Sequence, residues 1–199
     1  MNLKEYHPSW IPVLTRLRHE PLNQFLNDIL PKESYFPKEN SYLDTFKYPL
    51  DNFRVVFLKK EPTYRLEDLY GVDLEDTNEN GVFLYNLIVT SPASRNATKH
   101  EMYWEDFSKK FLLSMSIRNP CIWVYETEKL EDYPKYILNT EDFRDYSPKE
   151  LEKAPISPYN NYIFNVKDKD LEEKINLILK KNYKQEVPWE VIKKLKEIY

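Results

Sequence analysis

The chain is 199 residues long, enough for one domain whose core needs no disulfide staples. Its 29 Lys and Arg against 33 Asp and Glu leave a net charge of −4, which excludes a broad electrostatic grip on nucleic acid and leaves only local contacts. The single cysteine, Cys121, excludes an intramolecular disulfide, and the two glycines, Gly71 and Gly81, exclude the multi-glycine phosphate loops of Walker and Rossmann nucleotide enzymes.

The stretch Met1–His7 has no apolar signal core, and no run approaches the ~20 apolar residues of a membrane span. The expectation is a soluble, intracellular protein with no membrane partner. No repeat, low-complexity tract or composition break divides the chain, so the 14 prolines punctuate one domain, 1–199. Trp10, Val13, Leu14 and Leu17, then Leu22, Phe25, Leu26, Ile29 and Leu30, recur at helical spacing up to Pro31. Continuous apolar runs at 54–58, 82–86 and 121–125 read as buried parallel strands. Between the second and third, Trp104, Phe107, Phe111, Leu112 and Met115 line one helical face and predict a βαβ unit. Leu171, Ile175, Ile178 and Leu179 predict another helix after Asp168, and Pro188 opens a last one ending at Tyr199. The fold class is α/β: three layers, α/β/α, around a short, mostly parallel sheet.

The order of motifs resembles the uracil-DNA glycosylase family of the family-1 type, from Trp10 to Trp189. Val55-Val56-Phe57-Leu58 leads into Lys59-Lys60-Glu61-Pro62-Thr63-Tyr64, where the family has a strand and then Gly-Gln-Asp-Pro-Tyr-His. Upstream, Tyr35-Phe36-Pro37 with Phe46 is similar to the segment before that strand. Downstream, Gly71-Val72-Asp73-Leu74 is similar to Gly-Leu-x-Phe, and Gly81-Val82-Phe83-Leu84-Tyr85-Asn86 to Gly-Val-Leu-Leu-Leu-Asn. His100 and Trp104 have the spacing of the family's poxviral branch. Pro155-Ile156-Ser157-Pro158 resembles the His-Pro-Ser-Pro loop, and Val187-Pro188-Trp189 the Pro-Ile-Asp-Trp near the family's C-terminus. The resemblance implies a four-stranded central sheet, with the segment 147–153, which reads as a helical turn, standing where the family places its fourth strand.

Excision of uracil needs the nucleotide flipped into a pocket that reads its Watson–Crick edge. A carboxamide offers an acceptor and a donor side by side, and the resemblance puts Asn86 in that role. It puts Glu61 where the family's water-positioning Asp stands, one methylene longer. Pro62, Thr63, Tyr64 and Leu74 line the implied base pocket, with Thr63 in place of the Tyr that blocks the thymine methyl and Leu74 in place of the stacking Phe. Ser157, Pro158 and Tyr159 stand at the DNA-contacting loop. No histidine occupies that loop, and Lys59 and Lys60 replace Gly and Gln. The Pro-rich loop after Leu74 is deleted and acidic, with Glu75, Asp76 and Glu79, and Glu126-Thr127-Glu128 replaces a phosphate-holding Gly-Ser; carboxylates repel phosphate. No cofactor or metal is implied.

These losses imply an impaired glycosylase that serves as a binding or structural subunit of a viral or phage DNA replication or transcription assembly, in the host cytoplasm or nucleus. The poxviral branch, part of a polymerase processivity complex, gives the precedent. A protein partner is favoured over DNA alone. The alternative is an active glycosylase in which Glu61 activates water and Asn86 reads uracil; an acidic decoy for a DNA-binding protein is the third class. The 16 tyrosines suggest a protein-binding surface.

Overall fold

Strands that are apolar on both faces must be covered on both faces, and the chain supplies helices for each side. The computed structural model describes residues 3–37, 41–61, 74–93, 98–126, 130 and 132–190. The N-terminal stretch forms α1 (Ile11–Leu17) and α2 (Glu20–Gln24), the latter continuing into a π-helical turn, Phe25–Ile29. The break between the two helices is set by His19, whose Nδ1 accepts from Leu22 N, and by Pro12 and Pro21 at the helix starts. A two-stranded antiparallel pair joins β1 (Tyr35–Phe36) to β4 (Ser91–Pro92).

The central sheet contains β2 (Val55–Lys59), β3 (Val82–Asn86), β5 (Ile122–Tyr125), β6 (Thr140–Asp142) and β7 (Asn161–Asn165). It has five strands in the order β3-β2-β5-β7-β6, every neighbouring pair parallel. The expected four-stranded sheet is corrected to five. Beyond the three strands read from apolar runs the sheet gains β7, which stands at 161–165 and not at 147–153, and β6, an edge segment of sequence Thr-Glu-Asp whose strand form comes from its register against β7, Thr140 opposite Asn161. The predicted βαβ connection joins β3 to β5, and β2 lies between them in the sheet.

Side chains alternate across the sheet. Val56, Leu58, Phe83, Trp123 and Tyr125 pack with α1, α2 and the long helix α4 (Thr98–Arg118); Val55, Phe57, Val82, Val124 and Phe164 pack with α5 (Pro148–Lys153) and α6 (Leu171–Lys181). The short helix α3 (Leu74–Glu79) leads into β3. Trp104, Phe107, Phe111, Leu112 and Met115 are all buried, as are Leu171, Ile175, Ile178 and Leu179, so both predicted stripes face the core. Segment 147–153 is helical, as its composition predicts. Ser147 Oγ accepts from Glu150 N and the Glu150 carboxylate accepts from Ser147 N at 2.7 Å, a reciprocal cap. The last predicted helix falls at 191–199, outside the described residues. Much of the aromatic load is core, including Trp10, Trp104, Trp123, Tyr125 and Tyr162.

One buried amide ties the layers together. Asn161 Oδ1 accepts from Cys121 N (3.1 Å) and Trp123 Nε1 (2.8 Å), while its Nδ2 donates to Ser116 O (3.0 Å) and Leu138 O (2.7 Å). Replacing it leaves buried polar groups on α4, β5 and the approach to β6 unpaired. Asn161→Ala is expected to destabilise the fold by about 3 kcal/mol or more, read as a lower urea midpoint at unchanged m-value.

Candidate functional site

In a parallel sheet all strands end at one edge, where α/β proteins place their ligands. Here that edge is formed by Asn86 of β3 opposite Lys59 of β2, and by Tyr125 of β5, which lies opposite Leu58 of β2 and Asn165 of β7. Beyond it the chain stays paired for a further step: Leu87 N donates to Lys59 O (2.9 Å), Ile88 N to Lys60 O (2.8 Å) and Val166 N to Tyr125 O (3.1 Å).

Asn86 and Glu61 leave this edge from neighbouring strands. Both are half-buried. Among the described residues the Asn86 carboxamide makes no hydrogen bond and the Glu61 carboxylate no hydrogen bond or ion pair, in contrast to Asn161. The strand alternation directs Asn86 to the same face as Val82 and Leu84, the α6 side. Lys60, next to Glu61, is held by Glu101 of α4 at 3.4 Å. Pro62, Thr63 and Tyr64 lie outside the described residues, as does the side chain of Leu74, whose backbone opens α3.

The loops after β5 and β7 are occupied with each other. Lys167 Nζ lies 2.9 Å from Glu126 Oε1, bridging the two strand ends. Asn165 Oδ1 accepts from Lys167 N (2.9 Å), and Asp168 Oδ1 accepts from Asp170 N (3.0 Å), side-chain turns that carry the chain directly into α6. Asp168 also pairs with Lys174 at 2.5 Å, their side chains 9 % and 5 % exposed. Tyr125 is buried, and burial pushes its phenol up to about 12.

Ser157, Pro158 and Tyr159 do not join this edge. They precede β7, so in a parallel sheet they lie at its opposite end. Ser157 N donates to Tyr162 Oη (2.7 Å), which in turn donates to Ser157 O (2.9 Å), and Tyr159 is 78 % exposed. The Pro-x-Ser-Pro similarity thus falls before β7, at the sheet edge opposite Asn86. The loop that does follow the strand paired to β5 is 166–170. Its sequence signal was the apolar run Tyr162-Ile163-Phe164 immediately before it.

The three histidines serve the scaffold. His7 Nδ1 bonds Ser9 Oγ, His19 caps α2, and His100, 1 % exposed, stands between Thr90 and Glu33. Trp104 Nε1 donates to Thr90 Oγ1 (2.7 Å), the Thr90 hydroxyl bonds His100 Nδ1 (3.1 Å), and His100 Nε2 donates to Glu33 Oε2 (3.0 Å), since a carboxylate oxygen accepts. This is an orienting role in the interior. No group of three or more metal-ligating side chains converges among the described residues, and no helix among them is long and apolar enough to cross a membrane.

No protein-family model matches the chain, and no curated protein matches it. Solved structures do. A substituted form of mimivirus UNG in complex with UGI is 14 % identical with a TM-score of 0.67, covering 95 % of this chain and 91 % of that one. Mimivirus uracil-DNA glycosylase is 15 % identical with a TM-score of 0.63, covering 95 % and 89 %. At such identities the likeness defines the fold: this chain adopts the uracil-DNA glycosylase fold, with five strands in its parallel sheet.

The Asp168–Lys174 pair fixes the turn that closes this edge. Lys174→Met leaves Asp168 buried without its cation and is expected to cost about 3–5 kcal/mol, measured by chemical denaturation, with the double change Asp168→Asn, Lys174→Met recovering a large part of the loss.

Proposed function

We propose that this chain is a catalytically impaired protein of the uracil-DNA glycosylase fold that acts as a binding or structural subunit of a DNA-processing assembly, of viral or phage replication or transcription, inside the host cell. The observation that carries this reading is the loop after β7. The departing uracil anion needs a preorganised donor at the strand ends, and 166–170 offers no imidazole. Its Lys167 ammonium is paired with Glu126, and its Asp168 carboxylate with Lys174. The histidines elsewhere are held by Ser9, Leu22 N, Thr90 and Glu33.

A protein partner is favoured over bare DNA because the chain is net acidic and Lys60 and Lys167 at the strand ends are paired with Glu101 and Glu126, which weakens any hold they have on phosphate. The mimivirus structure in complex with UGI is an instance of this fold holding a protein. DNA remains a ligand of the assembly rather than of this edge alone.

A second reading rests on one specific observation: Asn86 and Glu61 are spared structural duty. In it Glu61 activates water and Asn86 reads the uracil edge, with Pro62, Thr63, Tyr64 and Leu74 around the base. Loss of one electrostatic donor typically costs about 10²–10³ in rate, which leaves slow excision physically accessible.

Uracil release from single-stranded and duplex DNA at high protein concentration and low salt separates the two. The expected result is release at background, equal in wild type, Glu61→Gln and Asn86→Ala, together with stoichiometric recovery of a specific replication or transcription protein on affinity capture from infected cells. Release abolished by either substitution overturns the impaired reading, and capture that yields no specific protein overturns the subunit role.

A further inference from the structure

Helix α4 carries a second stripe on the side away from the sheet. Trp104, Phe107, Phe111 and Met115 turn inward and are buried, whereas Met102, Leu113 and Ile117 are 70 %, 38 % and 59 % exposed. Leu138, whose N–H donates to Ser116 Oγ (3.1 Å), lies against the last turns of the helix and is exposed as well. Exposed apolar residues are ordinary when scattered singly; here three share one stripe of one helix with a fourth beside it. Asp106 and Lys109 stand between Met102 and Leu113, so the outward side chains fall at 102, 106, 109 and 113. Alternating steps of four and three residues are those of a seam that packs lengthwise on another helix.

The charges on this face are ordered along the helix. Glu105 and Asp106 precede its midpoint and Lys109 and Lys110 follow it, paired within the helix: Lys110 Nζ lies 2.7 Å from Asp106 Oδ2, and Lys109 meets Glu105. Asp106 also lies 3.6 Å from His19 Nε2, and Lys109 Nζ lies over the Tyr136 ring. A second α4 laid on the stripe in the same direction sets Asp106 against Asp106 and Lys109 against Lys109, which repel. Laid antiparallel, with a two-fold axis at the level of Phe107 and Ser108, the stripe matches itself. Asp106 of each copy meets Lys109 of the other, and Met102 of each meets Leu113 of the other. Two charged layers at the centre are then flanked by two apolar ones. The charged centre also fixes the register, because a slip that brings Asp106 opposite Leu113 sets a carboxylate on an apolar residue. Such self-matching is what a two-fold interface requires, and it selects a second copy of this chain as the occupant.

We propose that the outer face of α4 is the interface of a two-fold symmetric homodimer in which the two α4 helices pack antiparallel. The seam is one helix wide, which places it at the small end of specific interfaces, with an expected Kd of roughly 10–100 μM. It lies on a helical layer and not at the strand ends, so it stands whether or not Asn86 and Glu61 excise uracil.

The test is sedimentation equilibrium of the intact chain from well below to well above that Kd. The mass is expected to rise from the 24.2 kDa of one chain to twice that value. D106K and K109E each place like charges in both central layers, and each is expected to raise Kd about a hundredfold or more. Mixed in equal amounts they restore the dimer, since the Asp106 kept by one variant meets the Lys109 kept by the other and the two substituted side chains attract. M102E, at an exposed position, reads the apolar layers independently; it is expected to keep the wild-type Tm and far-UV circular dichroism while weakening the dimer about tenfold or more. A wild-type chain that stays monomeric throughout overturns the proposal, as do folded D106K, K109E or M102E chains that dimerise as tightly as wild type, or a mixture of the two charge reversals that stays monomeric.

Discussion

Parallel pairing is the constraint on which the rest of this structure depends. Once β2, β3, β5, β7 and β6 run the same way, every strand ends at one edge and begins at the other. Each connection must then cross back as a helix or loop over a face of the sheet. The continuous apolar runs make this the stable solution, because strands buried on both faces cannot leave one face to water. The two edges thereby acquire separate characters before any particular side chain is considered.

At the C-terminal edge most of the polar groups after β5 and β7 are spent on the scaffold. Lys167 spans to Glu126, Asp168 holds Lys174, and Asn165 turns its own backbone. Asn86 and Glu61 are the exceptions. Among the described residues this carboxamide and this carboxylate make no side-chain hydrogen bond, whereas the amides of Asn161 and Asn119 are engaged with backbone groups. At the N-terminal edge Arg54 Nη2 donates to Asn80 O and Lys184 Nζ to Pro120 O, the backbone carbonyls that follow α3 and α4.

The stripes on α4 and α6 were legible because helical packing repeats every 3.6 residues, and Trp104, Phe107 and Phe111 or Leu171, Ile175 and Ile178 advertise that repeat. The strands β2, β3 and β5 were legible as unbroken apolar runs, and the order of their flanking residues carried the resemblance to the glycosylase fold. β6 was not legible, since three polar residues have no strand preference of their own and take that form only by pairing with β7. The site was half legible. Asn86 ends a readable strand, whereas Ser157–Tyr159, matched to a motif by composition, precede β7 and lie at the other edge of the sheet.

The sequence by itself determined the class of this protein: a parallel α/β domain, weakly acidic and without the glycine loops of nucleotide enzymes. Those properties are local, set by periodicity and composition within a few residues. Only the tertiary structure decided which loop follows which strand in space, that the histidines are engaged by scaffold groups, His100 alone of them in the interior, and that Arg54 and Lys184, far apart in the chain, lie along one edge. Pairing order and register are set by the burial of the whole sheet between two helical layers, and no local pattern encodes them.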